Sequence, residues 1–298
     1  MKIESTKGMR DYTYQWDSSW DHDDPEVPIL KISKSSLGTF RICPLQYYKR
    51  YFERKPSDVT AAMLKGTVIH DAKEDYYKSF ELAKAEPLEG VELETYFHSM
   101  FPIDVDQSIN DQYNQIITFE LDRFKEARDE ETLSEFLPIG NELQGNSEIV
   151  IMADENENFT LNRNYTVHMM GIIDRIYRDG DDVVPVELKT GPWKDNKASS
   201  MRKEMAYYKL LMESDPAFED MLPVTQWGWW YPASGVVHIE KCTRYSRAME
   251  STKKDIAAIL YCYENDDWPA HFVYQRCPQW CSFVGECDKA KMEIGGWI

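Results

Sequence analysis

Glu187 and Lys189 stand two residues apart in the run VVPVELKTGPW (Val183–Trp193), whose other early residues suit a buried strand. Charge buried in a sheet is costly unless it is paired or coordinated. Side chains alternate across a strand, so Glu187 and Lys189 share a face with Val183 and Pro185, while Val184, Val186 and Leu188 form the apolar face. In the preceding run YTVHMMGIIDRIYR, Met170, Ile172, Asp174 and Ile176 share a face. A hairpin turning at Asp179–Gly180 brings Asp174 beside Glu187, with Lys189 one step away. Two acids and an amine gathered in this way suit phosphodiester hydrolysis. A magnesium or manganese ion relieves the repulsion between the carboxylates, stabilises the reacting phosphate and lowers the pKa of a bound water. Lys189 would orient or deprotonate that water, or offset charge on the phosphate. The plainer reading of the same residues is a salt bridge of Lys189 with Glu187 or Asp174 at an exposed strand end.

Several elements must position these groups. Residues 1–30 are acidic, rich in Asp and Trp and without either periodicity, which predicts an irregular arm. ISKSSLGTFRICPLQYYKRYF predicts an N-capped helix with a break or restart at Pro44. TAAMLKGTVIHDAKEDYYKSFELAKA predicts a second helix with Met63, Val68 and Tyr76 facing inward, and residues 104–136 are helical by apolar spacing. From about Asn146 the pattern changes to strands: SEIVIMA, YTVHMMGIIDRIYR and the returning DVVPVELKT. A helix is expected over about 199–213, able to supply a crossover. The strand pair VTQWGWWYP and GVVHIEKC follows, its Trp-rich member packing the core, and a last helix lies near 246–264. This order predicts an α/β or α+β core with a mixed sheet flanked by helices. Residues 31–298 read as one domain, with a helical part over about 31–140, a core over about 146–242, and a final helix and cysteine-rich tail over about 245–298.

The chain has 298 residues, with 52 acidic against 34 basic ones and a formal charge of −18. That balance argues against a broad electrostatic grip on nucleic acid but leaves room for a local basic groove. No run approaches the roughly 20 apolar residues of a membrane span. The first residues carry no apolar signal-peptide core, so a cytoplasmic protein is expected. In that setting six cysteines favour metal or redox chemistry over disulfides. Cys43 stands alone, Cys242 and Cys262 are scattered packing residues, and Cys277, Cys281 and Cys287 fall together. Four thiolates can hold a tetrahedral zinc or an iron–sulfur cubane.

The segment GIIDRIYRDGDDVVPVELKTG, with LKGTVIHDAKEDYY upstream and EMAYY downstream, resembles the PD-(D/E)XK nuclease superfamily, in particular its RecB-like branch. The resemblance runs from about residue 35 to residue 290 and implies a restriction-endonuclease-like mixed sheet. It makes Asp174 and Glu187 metal ligands, Lys189 the water-orienting residue and His70 a further ligand through a neutral ring nitrogen. Glu148 matches a less constant acidic position. Tyr208 would contact DNA or brace the site, and Glu204 stands where the branch usually has Gln. A carboxylate there repels phosphate unless a cation compensates.

RICPLQYYKRYF and CPQWCSFVGEC are similar to the iron–sulfur staple of a RecB-like subgroup that includes CRISPR-associated RecB-like nucleases and the AddB nuclease domain. This similarity implies a [4Fe–4S] cluster on Cys43, Cys277, Cys281 and Cys287, with a wider first gap in the terminal trio than is usual. DNA is the expected substrate. Tyr48–Lys55 and Pro192–Lys203, with Lys194, Lys197 and Arg202, are its candidate contacts, and Trp193 could stack on unpaired bases. Together these features predict a metal-dependent deoxyribonuclease, an exonuclease on ends or single strands. Repair, recombination, phage DNA metabolism or CRISPR adaptation would be its setting, and a helicase, recombination protein or CRISPR integrase its partner. The competing expectation is an inactive DNA-binding protein of the same fold, stabilised by an iron–sulfur cluster or zinc.

Overall fold

The structure, a computed structural model, describes residues 30–153, 159–243 and 245–294. The acidic arm expected over residues 1–30 lies outside them, apart from Leu30. In chain order the elements begin with β1 (Leu30–Ser33), α1 (Lys34–Ile42), α2 (Pro44–Tyr47) and α3 (Ala61–Ser79). Helices α4 (Leu82–Ala85), α5 (Gly90–Ser99) and α6 (Gln107–Asp129) come next. Strands β2 (Gly140–Ile151), β3 (Tyr165–Asp179) and β4 (Asp182–Leu188) follow, then α7 (Ala198–Ser214), β5 (Gln226–Tyr231) and β6 (Val236–Lys241). Helix α8 (Tyr245–Asn265) leads to the short α9 (Cys277–Trp280) and α10 (Asp288–Ile294). Among the described residues, no helix is long and apolar enough to cross a membrane.

The sheet is mixed, in the order β1-β3-β4-β5-β6, with β2 also paired to β3. β1 with β3 and β4 with β5 are parallel, whereas β3 with β4 and β5 with β6 are antiparallel. A parallel neighbour needs a crossover, and α7 supplies the one between β4 and β5, as the sequence predicts. The fold class is the expected one, a restriction-endonuclease-like α/β arrangement of mixed sheet and helices. By contact the chain divides into two compact units. One holds residues up to Asp58, Gly145–Gly171 and residues from Arg247, and the other holds Val59–Gln144 and Ile172–Ser246.

In the first unit Ser33 caps α1 through a capping box with Ser36, each side chain accepting from the other's backbone N–H. Cys43 closes that helix and Pro44 opens α2 at a position whose missing N–H leaves no helical bond unmade. Arg41 reaches Asp255 of α8 at 2.6 Å, and Trp268 packs against Tyr47, Tyr48 and Phe52.

In the second unit α3 is capped by Thr60. It buries Ile69, Ala72, Tyr76 and Tyr77 in a cluster with Ile116 and Phe124 of α6 and with Val184, Val186 and Leu188 of β4. Val68 packs on that cluster only partly buried. Met63, expected to face inward, is 47 % exposed. It precedes Ile69 by six residues, and at 3.6 residues per turn that is about 120° off the buried face. Strand β2 begins at Gly140, six residues before the expected change of pattern. The Trp-rich β5 is core, with Trp227, Trp229 and Trp230 all at most 3 % exposed. Gly228 lets β6 approach, because a Cβ there would sit 2.7 Å from the His238 carbonyl oxygen.

Candidate active site

Gly180 adopts φ +59° at the β3–β4 turn, a conformation that glycine takes without strain. Pairing runs Arg175 with Val186 and Ile176 with Pro185, so the next step sets Asp174 opposite Glu187. The Leu188 N–H donates to Asp174 Oδ2 at 2.8 Å, which anchors that carboxylate to the neighbouring strand. Asp174 is 7 % and Glu187 3 % exposed. Lys189, whose own N–H is held by the Trp230 carbonyl at 2.8 Å, puts Nζ 2.6 Å from Glu187 Oε1. The same Nζ lies 2.8 Å from Glu204 Oε2 on α7. The Glu204 carboxylate therefore meets a compensating cation.

His70 projects from α3 with Nδ1 3.6 Å from Glu142 Oε1 and 3.9 Å from Asp174 Oδ2. One ligand atom from each of the three residues lies within 4.8 Å of the others. Around a hard octahedral cation with bonds of about 2.1 Å, ligand atoms stand about 3.0 to 4.2 Å apart, so these separations suit one shared ion. Burial opposes charging of His70, but Asp174, Glu142 and Glu187 outweigh it and raise its pKa above the ordinary value. That excess of negative charge is what a divalent cation would relieve.

Residues 31–288 match the PD-(D/E)XK nuclease superfamily. The chain belongs to that superfamily. No curated protein is a significant match. PD-(D/E)XK nucleases use divalent metals and act on DNA, and the acid-and-histidine group described above is the candidate metal site of this one.

Within that PD-(D/E)XK frame, Asp174, Glu187, Lys189 and His70 converge, and Glu142 joins them unanticipated. Glu187 lies outside the compact group of three, with its Oε1 turned to Lys189. Glu148, the acid expected from the β2 segment, is exposed and pairs with His168 at 2.9 Å instead. The signal for Glu142 was present as a second acid six residues upstream, on the same strand parity. It was missed because β2 extends further than its apolar residues indicate. Tyr208 is 2 % exposed, so bracing is the part of its expected role open to it as folded. Burial, then the charges of Glu187 and Asp174, hold its hydroxyl well above the usual pKa.

The expected DNA contacts divide. Lys194 is exposed, and Lys197 is half-buried with Nζ on the Pro192 carbonyl at 2.6 Å. Arg202 forks onto Glu240 at 2.6 and 2.7 Å. Glu240 also accepts from Trp227. Burial opposes its charge, but Arg202, Trp227 and His238 hold that carboxylate down at about 2. Two of the three guanidinium nitrogens are thus engaged, which lessens what Arg202 can offer a phosphate. Trp193 stacks on Trp229 at 6.0 Å and meets Tyr231 edge-on, packing that takes much of the surface expected for bases.

In the other unit, Lys49 lies 3.1 Å from Glu286 and Lys55 pairs closely with the same carboxylate. These cations of the Tyr48–Lys55 stretch are thus partly neutralised. Cys43, Cys277, Cys281 and Cys287 line one cavity of about 100 Å³, where a single water needs only about 10–15 Å³. Backbone N–H groups point at the sulfurs, His271 to Cys43 at 3.4 Å and Val273 to Cys277 at 3.2 Å. Burial first, then the other three cysteines, raise the Cys281 thiol above its usual pKa against a backbone hydrogen bond at Phe283. Burial pushes Cys242 and Cys262, which lie outside the cavity, up to about 11. They are the packing thiols of the six.

Proposed function

We propose that this PD-(D/E)XK protein is a magnesium- or manganese-dependent deoxyribonuclease that digests DNA from ends or along single strands. The observation that carries the reading is the convergence of His70, Glu142, Asp174, Glu187 and Lys189 on one partly open, strongly acidic spot. His70, Glu142 and Asp174 would hold a divalent cation, with Glu187 beside them. Such a cation supplies positive charge to the phosphate and acidifies nearby water. Lys189 donates toward two carboxylates, a geometry that suits orienting a water or a phosphate oxygen rather than removing a proton. Glu187 and Glu204 aim its ammonium, and buried Tyr208 supports them from α7. Lys194 and Lys197, just beyond the catalytic strand, are the cations left to meet the DNA backbone.

The test is digestion of labelled linear and covalently closed DNA, single- and double-stranded, with magnesium, manganese or EDTA. Cleavage of linear substrates that stops in EDTA, with circles resistant, is the expected result. Cutting of circles at the same rate would refute the exonuclease mode. Binding without cleavage under every metal condition would favour the inactive DNA-binding reading.

The four cavity cysteines hold a [4Fe–4S] cluster in this reading. The support for it is that all four side chains line one cavity, where four thiolates could hold a cubane or a zinc. N–H donors aimed at sulfur are the contacts that tune such clusters. Cys281→Ser is expected to lose the brown colour and most of the bound iron, with a lower melting temperature, as read by absorbance, metal analysis and calorimetry. Stoichiometric zinc and no iron in the wild type would overturn the assignment.

A further inference from the structure

Arg175 follows Asp174 in β3 and shares a face with Tyr177. It is 1 % exposed, with its guanidinium carbon 4.8 Å from the Tyr77 ring centre. Nη1 donates to Glu142 Oε1 at 3.2 Å. That oxygen is the one lying 3.6 Å from His70 Nδ1. Nη1 also donates closely to the Asp174 carbonyl, so one donor group ties the chain at Asp174 to the carboxylate of Glu142.

Glu142 itself adopts φ +52°, a left-handed conformation that residues with a Cβ rarely take. Something must hold the strand end in that state. Meanwhile Nε and Nη2 of Arg175 find no hydrogen-bond partner among the described residues. A buried guanidinium with donors left over is costly, and the Tyr77 ring and the Glu142 carboxylate are contacts that offset the cost.

We propose that Arg175 is a positioning residue that holds Glu142 in place as a ligand of the divalent cation. The proposal rests on the metal-dependent reading of the site and adds the residue that orients one of its ligands. The sign of the effect makes it distinctive. Arg175 carries positive charge close to a cation site, and by Coulomb attraction and repulsion alone its removal would tighten metal binding. Weaker binding after its removal must come through lost ligand geometry, which the Glu142→Gln background then assigns to Glu142 or to Asp174.

The test is manganese binding to the full chain without DNA, by titration calorimetry, beside the melting temperature of the metal-free protein. Arg175→Met is expected to weaken manganese binding about 10- to 100-fold, the range for residues that orient a ligand, and Arg175→Lys to recover part of it. In a Glu142→Gln background, Arg175→Met should add no further loss. A merely structural role would lower the melting temperature and leave manganese affinity unchanged. Unchanged or tighter binding by Arg175→Met overturns the proposal, as does a further loss in the Glu142→Gln background. Should Arg175→Met not fold, Arg175→Lys alone and in the Glu142→Gln background gives the same comparison. Wild-type protein that binds manganese but cuts no DNA would defeat the nuclease reading alone. Wild type that cuts DNA, with Arg175→Met binding manganese equally well, would defeat this proposal alone. A wild type that binds no manganese overturns both.

Discussion

Lys189→Ala is expected to slow DNA cleavage about 10²- to 10⁴-fold, the range for losing a positioned group that handles a proton or a developing charge. The ammonium lies 2.6 Å from Glu187 and 2.8 Å from Glu204. Without it, the two carboxylates lose the cation between them and face the position a phosphate must enter. The cation site itself is built from other side chains, so manganese binding should persist and the folded state should survive. Single-turnover digestion of an end-labelled oligonucleotide at saturating manganese measures the effect. Equal rates for wild type and variant would refute the role assigned to Lys189. A loss of manganese binding in step with activity would instead make Lys189 a support for the ligands.

The second large effect concerns stability. Glu120 on α6 is fully buried, accepts closely from the Tyr77 hydroxyl and lies 2.7 Å from Arg123. It also lies 3.8 Å from buried Lys73, whose Nζ sits 3.5 Å from the centre of the Trp230 ring. Burial pulls the Lys73 pKa well below its usual value, and Glu120 is the principal group opposing that pull. Glu120→Ala removes the acid and leaves buried Lys73, half-buried Arg123 and a hydroxyl without it. Breaking a buried ion pair from one side costs about 3–5 kcal/mol, so the urea midpoint should fall by that much stability at an unchanged slope. Adding Lys73→Met should restore part of the loss, because it removes a cation that the first change stranded. A midpoint within error of wild type would mean that Glu120 contributes no net stability to this core.

Much of the β3–β4 hairpin is legible in the sequence alone. A strand has a two-residue period and a tight turn at a glycine sets its register, so sixteen consecutive residues suffice to put Asp174 opposite Glu187 with Lys189 beyond. The spacing of apolar residues located the helices for the same reason, since each period is a property of one local segment. Errors arose where a local pattern had to stand for a distant contact. Met63 matched a helical stripe loosely and fell on the outer side. Nothing near Arg202 in the sequence names Glu240, thirty-eight residues on, as its partner.

Helix and strand periodicity, the hairpin register and the Asp174–Glu187–Lys189 set were thus determined within short stretches of chain, where bonded geometry leaves few alternatives. The meeting of His70 from α3 with Glu142 from β2, the Lys189 neighbour that makes Glu204 tolerable, and the grip of Arg175 on Glu142 were decided only when the chain folded. Those contacts join side chains separated by fifteen to seventy-two residues, and their distances follow from how helices and strands pack, a choice that no local period encodes.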